Sequence, residues 1–177
     1  MASALRGLPL LRGKPIRLTF RETLWIRGGR LLSRPPGVEV HGASFLRRRR
    51  ICLETSLLGD LRELRRILLH EIFHFVWLRL GNHLRRQWEA LLAAEWSARS
   101  RGELGHSSEW RKQALTPEAV RRRSRRWREY VCESFCDSAA WWFLRRAPHP
   151  EFTLTARWRE RRAQWLARLM ARDWLPV

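Results

Sequence analysis

Long apolar runs are missing from this sequence of 177 residues. Its longest stretches without a formal charge, which include 72–78 and 138–144, each have the length of about two helical turns. A membrane-spanning helix needs roughly 18 apolar residues. The apolar stretch within residues 1–12 is too short and too interrupted for a signal peptide. We therefore expect no transmembrane segment and a cytoplasmic protein.

Cysteine, tyrosine and lysine are also scarce, with three, one and two residues respectively. So few cysteines agree with a reducing compartment. Cys132 and Cys136 lie four residues apart, which places both thiols on one face of a helix, where we expect them to be small core residues. A disulfide or an auxiliary metal pair is the alternative interpretation of this spacing.

Positive charge is abundant, and arginine carries nearly all of it. The net charge of +19 attracts phosphate and anionic surfaces without sequence specificity. The arginines are spread along the chain rather than gathered into one patch, so nucleic acid is an alternative partner that we do not favour. Hydrophobic residues make up 45% of the chain, which excludes a disordered protein and is enough for one folded domain.

The first third of the chain alternates apolar and charged residues, as half-buried strands do. The alternation predicts four short strands, at 15–21, 23–27, 38–41 and 50–56. Glycine and proline mark turns at 28–29 and 35–37. We expect one small, mainly antiparallel sheet within residues 1–58.

From Asp60 onwards the apolar residues follow a helical period. Asp60, with Glu63 three residues later, resembles a capping box at the start of a helix that ends at 81–82. Thr116 and Pro117 open another helix. Including these, we expect helices over 60–80, 83–98, 117–146 and 155–172, a loop over 101–108, and an α+β fold in which 60–177 is mainly helical and 1–177 forms a single domain. The arginine- and tryptophan-rich last helix is expected to pack on its own domain.

The pattern with the clearest chemistry is His70-Glu71-Ile72-Phe73-His74. Histidines at i and i+4 lie one turn apart on one helix face, so both imidazoles can reach one Zn²⁺. A glutamate directly after the first histidine can act as general base on water. The residues between and after the histidines are apolar, which is typical of a buried active-site helix. His70 and His74 are therefore predicted zinc ligands, and Glu71 the predicted catalytic base.

This motif and the segment from Tyr130 to Asp137 resemble the zincin metallopeptidases, most closely the gluzincins. In that family a glutamate ligand is followed four residues later by an aspartate that hydrogen-bonds the first histidine. The resemblance implies Glu133 as third zinc ligand and Asp137 as the residue that orients His70. It also implies that Tyr130, one turn before Glu133, hydrogen-bonds the oxyanion. A position in the core is the alternative for Tyr130.

A second segment offers another third ligand. His106, in Gly105-His-Ser-Ser-Glu-Trp, loosely resembles the third-ligand segment of SprT-like metallopeptidases. Ser107 replaces the glycine of that pattern, and the gap from His74 is long. We favour Glu133 as the ligand and keep His106 as an alternative ligand, a substrate contact or a plain loop residue.

The resemblance implies a fold in which a small mixed sheet lies over the motif helix, and an extended peptide is bound by strand addition. It implies that the strand over 50–56 is the edge that receives the substrate. The resulting hypothesis is a zinc-dependent metallopeptidase acting on peptides or proteins. The alternative is a basic, nucleic-acid-binding or SprT-like protein in which zinc is structural or the protease acts on DNA-bound proteins.

Overall fold

The fold is α+β, as the sequence predicted. A computed structural model describes residues 5–28, 30–32, 34–144 and 148–177. The strands are β1 (Leu10–Arg12), β2 (Arg17–Arg21), β3 (Trp25–Arg27), β4 (Arg30–Leu32), β5 (Val38–Glu39), β6 (Gly42–Phe45), β7 (Arg50–Glu54) and β8 (Trp174–Pro176). The helices are α1 (Leu61–Arg79), α2 (Asn82–Ser97), α3 (His106–Gln113), α4 (Pro117–Arg121), α5 (Arg125–Leu144) and α6 (Ala156–Met170).

The strands form three small sheets, where the sequence predicted one. The sheet beside the helices has the order β2-β7-β6, with β2 parallel and β6 antiparallel to β7. A second sheet, β4-β3-β5, is antiparallel. The sequence did not predict β4, and of the turn predicted at 28–29 only Gly28 lies among the described residues. In the third, β1 pairs in parallel with β8. Alternation marks a strand but does not specify its partner, and β6, Gly-Ala-Ser-Phe, contains poor strand formers.

Helix α1 is the centre of the molecule, and its start is the one predicted. The carboxylate of Asp60 accepts hydrogen bonds from the backbone N–H groups of Arg62 and Glu63, both at 3.0 Å. Ten of its residues are buried, with the apolar ones packing on the sheet and on α5. Phe73 stacks edge-on against Phe135 of α5 with ring centroids 5.8 Å apart. This packing fixes the face of α5 that meets the histidines of α1.

The helix predicted over 117–146 is interrupted. Helix α4 begins as expected, with the Thr116 hydroxyl accepting from the Ala119 N–H, but it ends at Arg121. Arg123 has a left-handed backbone (φ 48°) and forms an ion pair with Glu89 of α2. Ser124 then caps α5 by accepting from the Trp127 N–H. The predicted end at Arg146 lies outside the described residues.

Two of the other helices were predicted from the sequence, and the start of a third was not. Helices α2 and α6 confirm the predictions at 83–98 and 155–172, whereas α3 starts inside the predicted loop. The apolar face of α6 is buried in its own domain, through Trp158, Trp165, Leu166 and Leu169. In the described part of the chain, every helix is too short or too polar to cross a membrane.

Candidate metal centre

His70 and His74 lie one turn apart on α1, as their spacing predicted. Their Nε2 atoms are 3.1 Å apart, and the ring planes are nearly perpendicular, at 78°. His70 is 8% exposed, and His74 is partly buried. Both imidazoles direct Nε2 towards the same point between α1 and α5.

Glu133 of α5 completes a group of three ligand atoms. Its Oε2 lies 3.3 Å from Nε2 of His70 and 3.8 Å from Nε2 of His74. One ligand atom from each residue lies within 4.8 Å of the other two. Two imidazole nitrogens and a carboxylate oxygen are ligands of catalytic zinc sites, in which a fourth position stays open. The donor set therefore fits a divalent ion, and Zn²⁺ by ligand type.

The electrostatics of the group are those of a site that attracts a cation. Burial lowers the pKa of both histidines, but carboxylates outweigh it. Asp137 and Glu133 raise the pKa of His70 well above its usual value, and Glu133 and Cys132 raise the pKa of His74 to about 9. Burial raises the pKa of Glu133, yet His74, His70 and Arg111 together lower it to about 2.

Asp137 has the position predicted for a residue that orients His70. Its Oδ1 lies 2.7 Å from Nδ1 of His70. Because an ionised carboxylate only accepts hydrogen bonds, Nδ1 carries the proton and Nε2 can offer a lone pair to a metal. Oδ2 accepts from the backbone N–H of Ser108 at 2.9 Å, so Asp137 also caps the amino end of α3. A Cβ at Gly105 would lie 2.3 Å from Cγ of Asp137, so this contact requires glycine.

Glu71 faces a pocket that also reaches the three ligand residues. The pocket has a volume of about 400 Å³, and β6 borders it through residues 42–45. Glu71 is 6% exposed and packs under Gly42, where an added Cβ would lie 3.1 Å from its Oε1. The hydroxyl of Ser44 donates to the backbone carbonyl of Glu71 at 2.9 Å, which fixes β6 on α1. The predicted base and the predicted ligands therefore share one cavity.

The edge strand beside the pocket is β6, and the prediction of 50–56 as the substrate edge is wrong. Strand β7 pairs with β2 on one side and β6 on the other, so its backbone groups are already used. Among the described residues β6 pairs with β7 alone, and its other edge is free for a further strand. The resemblance gave the edge position to the strand that precedes the motif helix, and the sequence did not predict β6.

Tyr130 does not reach the pocket, so the structure gives no support to its predicted oxyanion role. It is 1% exposed, and its hydroxyl donates to Oε1 of Glu103 at 2.6 Å. Burial and the ionised Glu103 raise the pKa of Tyr130 well above its usual range. The position in the core that we kept as the alternative is the one observed.

Glu103 lies at the centre of a second buried cluster. Arg162 of α6 bonds Glu103 through Nη1 at 2.7 Å, and it bonds Glu95 through Nη2 at 2.6 Å. All three residues have 0% exposure, and Lys112 adds an ion pair at 3.0 Å. Burial raises the pKa of Glu103, but Arg162 and Lys112 lower it to about 2. We call these residues and Tyr130 the arginine cluster.

His106 lies outside the group of ligand atoms. It is the first residue of α3, its side chain is exposed, and its backbone N–H donates to Glu151 at 2.8 Å. Its neighbours Ser107 and Arg111 line the pocket instead. The geometry therefore favours Glu133 over His106 as third ligand.

Two residues that sequence reasoning did not assign contact the ligands directly. Nη2 of Arg111 lies 3.2 Å from Oε1 of Glu133, and its Nη1 donates to the Ser107 carbonyl at 2.7 Å. Sγ of Cys132 lies 3.5 Å from Nδ1 of His74. Cys132 directly precedes the predicted ligand Glu133, and this position indicated that it could lie near the site. Nothing in the sequence points to Arg111.

Comparison of the chain with protein-family models, curated proteins and solved structures finds no match. The zincin resemblance stays a prediction that rests on the residues described above.

Proposed function

We propose that the protein is a zinc-dependent metallopeptidase. The observation that carries this proposal is the convergence of His70, His74 and Glu133 in a pocket that Glu71 also lines. Asp137 adds the hydrogen bond that sets the tautomer of His70. These five residues come from two helices, and at least 59 residues separate the motif from Glu133 and Asp137. The meeting of His70, His74, Glu71 and Glu133 in one cavity, with Asp137 bonded to His70, is therefore not a consequence of the motif alone.

Each residue has one task in the proposed reaction. Zn²⁺ held by His70, His74 and Glu133 would lower the pKa of a water molecule and polarise a peptide carbonyl. The carboxylate of Glu71 would accept a proton from water in the pocket and deliver it to the leaving amine. Asp137 would keep the proton of His70 on Nδ1.

The substrate in this proposal is an extended peptide. The free edge of β6 borders the pocket, and a peptide that adds to it would gain main-chain hydrogen bonds along residues 42–45. The same strand is fixed to α1 by the bond from Ser44 to the Glu71 carbonyl. A peptide bound to this edge would therefore lie at a fixed distance from Glu71.

The test begins with zinc per chain, measured by elemental analysis of the wild type, Glu133→Ala and His106→Ala. We expect one zinc in the wild type and His106→Ala, and a loss in Glu133→Ala. Cleavage of an unbiased peptide library by the wild type, with Glu71→Gln as control, then tests catalysis. Equal residual cleavage by both would contradict the peptidase, and no zinc in correctly folded wild type would contradict the metal site.

A basic groove supports a second candidate function, binding of nucleic acid. Arg21, Arg47, Arg48 and Arg50 line a groove of about 720 Å³ that adjoins the pocket at Ser44 and Phe45. In the described part of the chain none of the four forms an ion pair with a carboxylate. A steep fall of DNA affinity across a salt series, with binding retained at physiological salt, would support it. Weak binding with a shallow slope would exclude it.

We also propose a cytoplasmic location. All three cysteines are free thiols, which agrees with a reducing compartment. Their oxidation state in protein isolated from the cell under alkylating conditions tests this proposal, and a disulfide would contradict it.

A further inference from the structure

Behind the pocket, two cysteines face the far side of His74. Cys132 and Cys136 are one turn apart on α5, and Sγ of Cys132 lies 3.5 Å from Nδ1 of His74. One ligand atom from each of the three residues lies within 4.8 Å of the other two. Cys136 is fully buried, and Cys132 and His74 are partly buried. From the sequence, the spacing of the two cysteines was consistent with core packing or with a metal pair. The structure places a third possible donor, His74, beside them.

The chemistry of this group differs from that of the pocket. Two thiolates are soft donors and an imidazole is a borderline one, a set that prefers thiophilic ions such as Cu⁺ and Cd²⁺. Two thiolates also bring two negative charges, which a monovalent or divalent cation compensates in a buried place. The proposed peptidase reaction uses neither cysteine. Cys52 of β7 is also buried but belongs to neither ligand group in the described part of the chain. It is therefore an ordinary core cysteine with which the pair can be compared.

The two ligand groups share one imidazole through opposite nitrogens. Nε2 of His74 faces His70 and Glu133, whereas Nδ1 faces Cys132. A neutral imidazole has a lone pair on one nitrogen and a proton on the other. If Nδ1 binds a metal, the proton lies on Nε2, and His74 no longer serves the group with His70 and Glu133.

We propose that Cys132, Cys136 and Nδ1 of His74 form a second metal site, which takes a thiophilic ion and excludes metal from the pocket. Binding releases the two thiol protons and the proton on Nδ1 of His74 to solvent, and His74 keeps a proton on Nε2. The oxidation states of the sulfur atoms and the metal do not change. The exclusion rests on the proposed zinc site in the pocket, whereas the thiol site itself does not.

The site is tested with Cd²⁺ alone on metal-free protein, because cadmium bound to thiolate gives an ultraviolet charge-transfer band that carboxylate and imidazole ligation does not. We expect the wild type to show this band with saturation at one thiolate-bound ion per chain. Cys132→Ser and Cys136→Ser should bind more than about tenfold more weakly in this band. Cys52→Ser is the matched control and should behave as the wild type.

Two results would overturn the thiol site. One is an unchanged titration in Cys136→Ser, and the other is loss of the band in Cys52→Ser. Cys136→Ala covers the case in which serine disturbs the core, and circular dichroism of each variant shows that it is folded.

The exclusion is tested by adding one equivalent of Cd²⁺ to zinc-loaded protein and measuring the zinc released. We expect release from the wild type and markedly less from Cys136→Ala, in which cadmium competes at the pocket alone. Zinc that stays bound while the thiolate band saturates would overturn the exclusion. A wild type that binds no zinc but shows the band would contradict the proposed function and still support the thiol site.

Discussion

The pocket and the arginine cluster are both buried groups of charged residues packed beside α5, which contributes Glu133 to the first and Tyr130 to the second, yet they are built differently. In the arginine cluster, each carboxylate oxygen of Glu95 and Glu103 accepts a hydrogen bond from Arg162, with donor–acceptor distances of 2.6–3.0 Å. In the pocket, Oε2 of Glu133 faces two imidazole nitrogens at 3.3 and 3.8 Å. In the first group Arg162 bonds both oxygens of each carboxylate. In the second, Arg111 contacts only Oε1 of Glu133, and Oε2 joins the two imidazoles as one of three donors around one point.

The difference shows how a structural charge cluster is distinguished from a ligand site. A buried ion pair needs complete compensation by its own partners, because each uncompensated charge has a large desolvation cost. The arginine cluster meets that condition and is closed to solvent, with Glu95, Glu103 and Arg162 at 0% exposure. The ligand residues instead border a cavity of about 400 Å³. Four changes test this distinction, in order of expected effect.

Removing the base should have the largest effect. We expect Glu71→Gln to lower peptide cleavage by about 10²–10⁴-fold, since glutamine cannot accept the proton from water. Zinc per chain should stay at the wild-type value, because Glu71 is not among the three ligand residues. The measurement is cleavage rate together with elemental analysis. Loss of zinc together with activity would mean that Glu71 helps to bind the metal, which would contradict its role as the base alone.

Removing the internal cation should destabilise the fold rather than the activity. Arg162→Met leaves Glu95 and Glu103 without their main cation, and we expect a loss of about 3–5 kcal/mol in the free energy of unfolding. Urea denaturation measures it. Arg168→Met is the matched control, because Arg168 is exposed on the same helix. A small, equal effect of both substitutions would mean that the cluster is not essential to stability.

Weakening the orientation of His70 should affect metal affinity. Asp137→Asn removes the negative acceptor 2.7 Å from Nδ1 of His70, and we expect about 10–100-fold weaker zinc binding. Competition with a chelator measures the affinity. Ser138→Ala, the next residue on α5, controls for a general effect on the helix because it contacts Arg162 and not the pocket ligands. Zinc affinity that falls equally in both variants would contradict the positioning role.

Acid should reduce the contribution of the arginine cluster, and this effect is the smallest. Arg162 and Lys112 overcome the effect of burial and lower the pKa of Glu103 from 4.5 to about 2. Since the folded pKa is below the unfolded one, ionised Glu103 stabilises the fold above pH 4.5, and this is lost as the pH falls through about 2. The stability advantage of the wild type over Glu103→Gln should therefore shrink across this window. A constant difference in denaturation midpoint would contradict the assignment.

The parts of the site that the sequence predicted are those set by local geometry. The histidine pair of α1 and the pair Glu133 and Asp137 of α5 each depend on a spacing of four residues within one helix. The Asp60 cap and the apolar period likewise defined α1 without reference to the rest of the chain. Each of these features lies within a single helix and its cap, so a short stretch of sequence carries the whole signal.

The parts that the sequence did not predict depend on how distant elements pack. Tyr130 and Glu133 lie one turn apart on α5. The loop before α3 places Glu103 at the hydroxyl of Tyr130, and this hydrogen bond holds the Tyr130 side chain away from the pocket. The contact of Arg111 with Glu133 likewise depends on where α3 lies against α5. Strand β6 has a Gly-Ala-Ser sequence with no strand signal, and its role comes from its partner β7 and from α1 beneath it.

The pairing of β1 with β8 has a consequence for biosynthesis. Residues 10–12 are made long before their partners, residues 174–176, and Leu175 and Val177 are buried in the core. A growing chain therefore lacks one strand of this sheet, and part of the cover over α1, until residue 177 has left the ribosome. Leu11 of β1, which packs against the core and lies opposite Leu175, lacks that partner during synthesis, so we expect the nascent chain to expose apolar surface of the kind that chaperones bind.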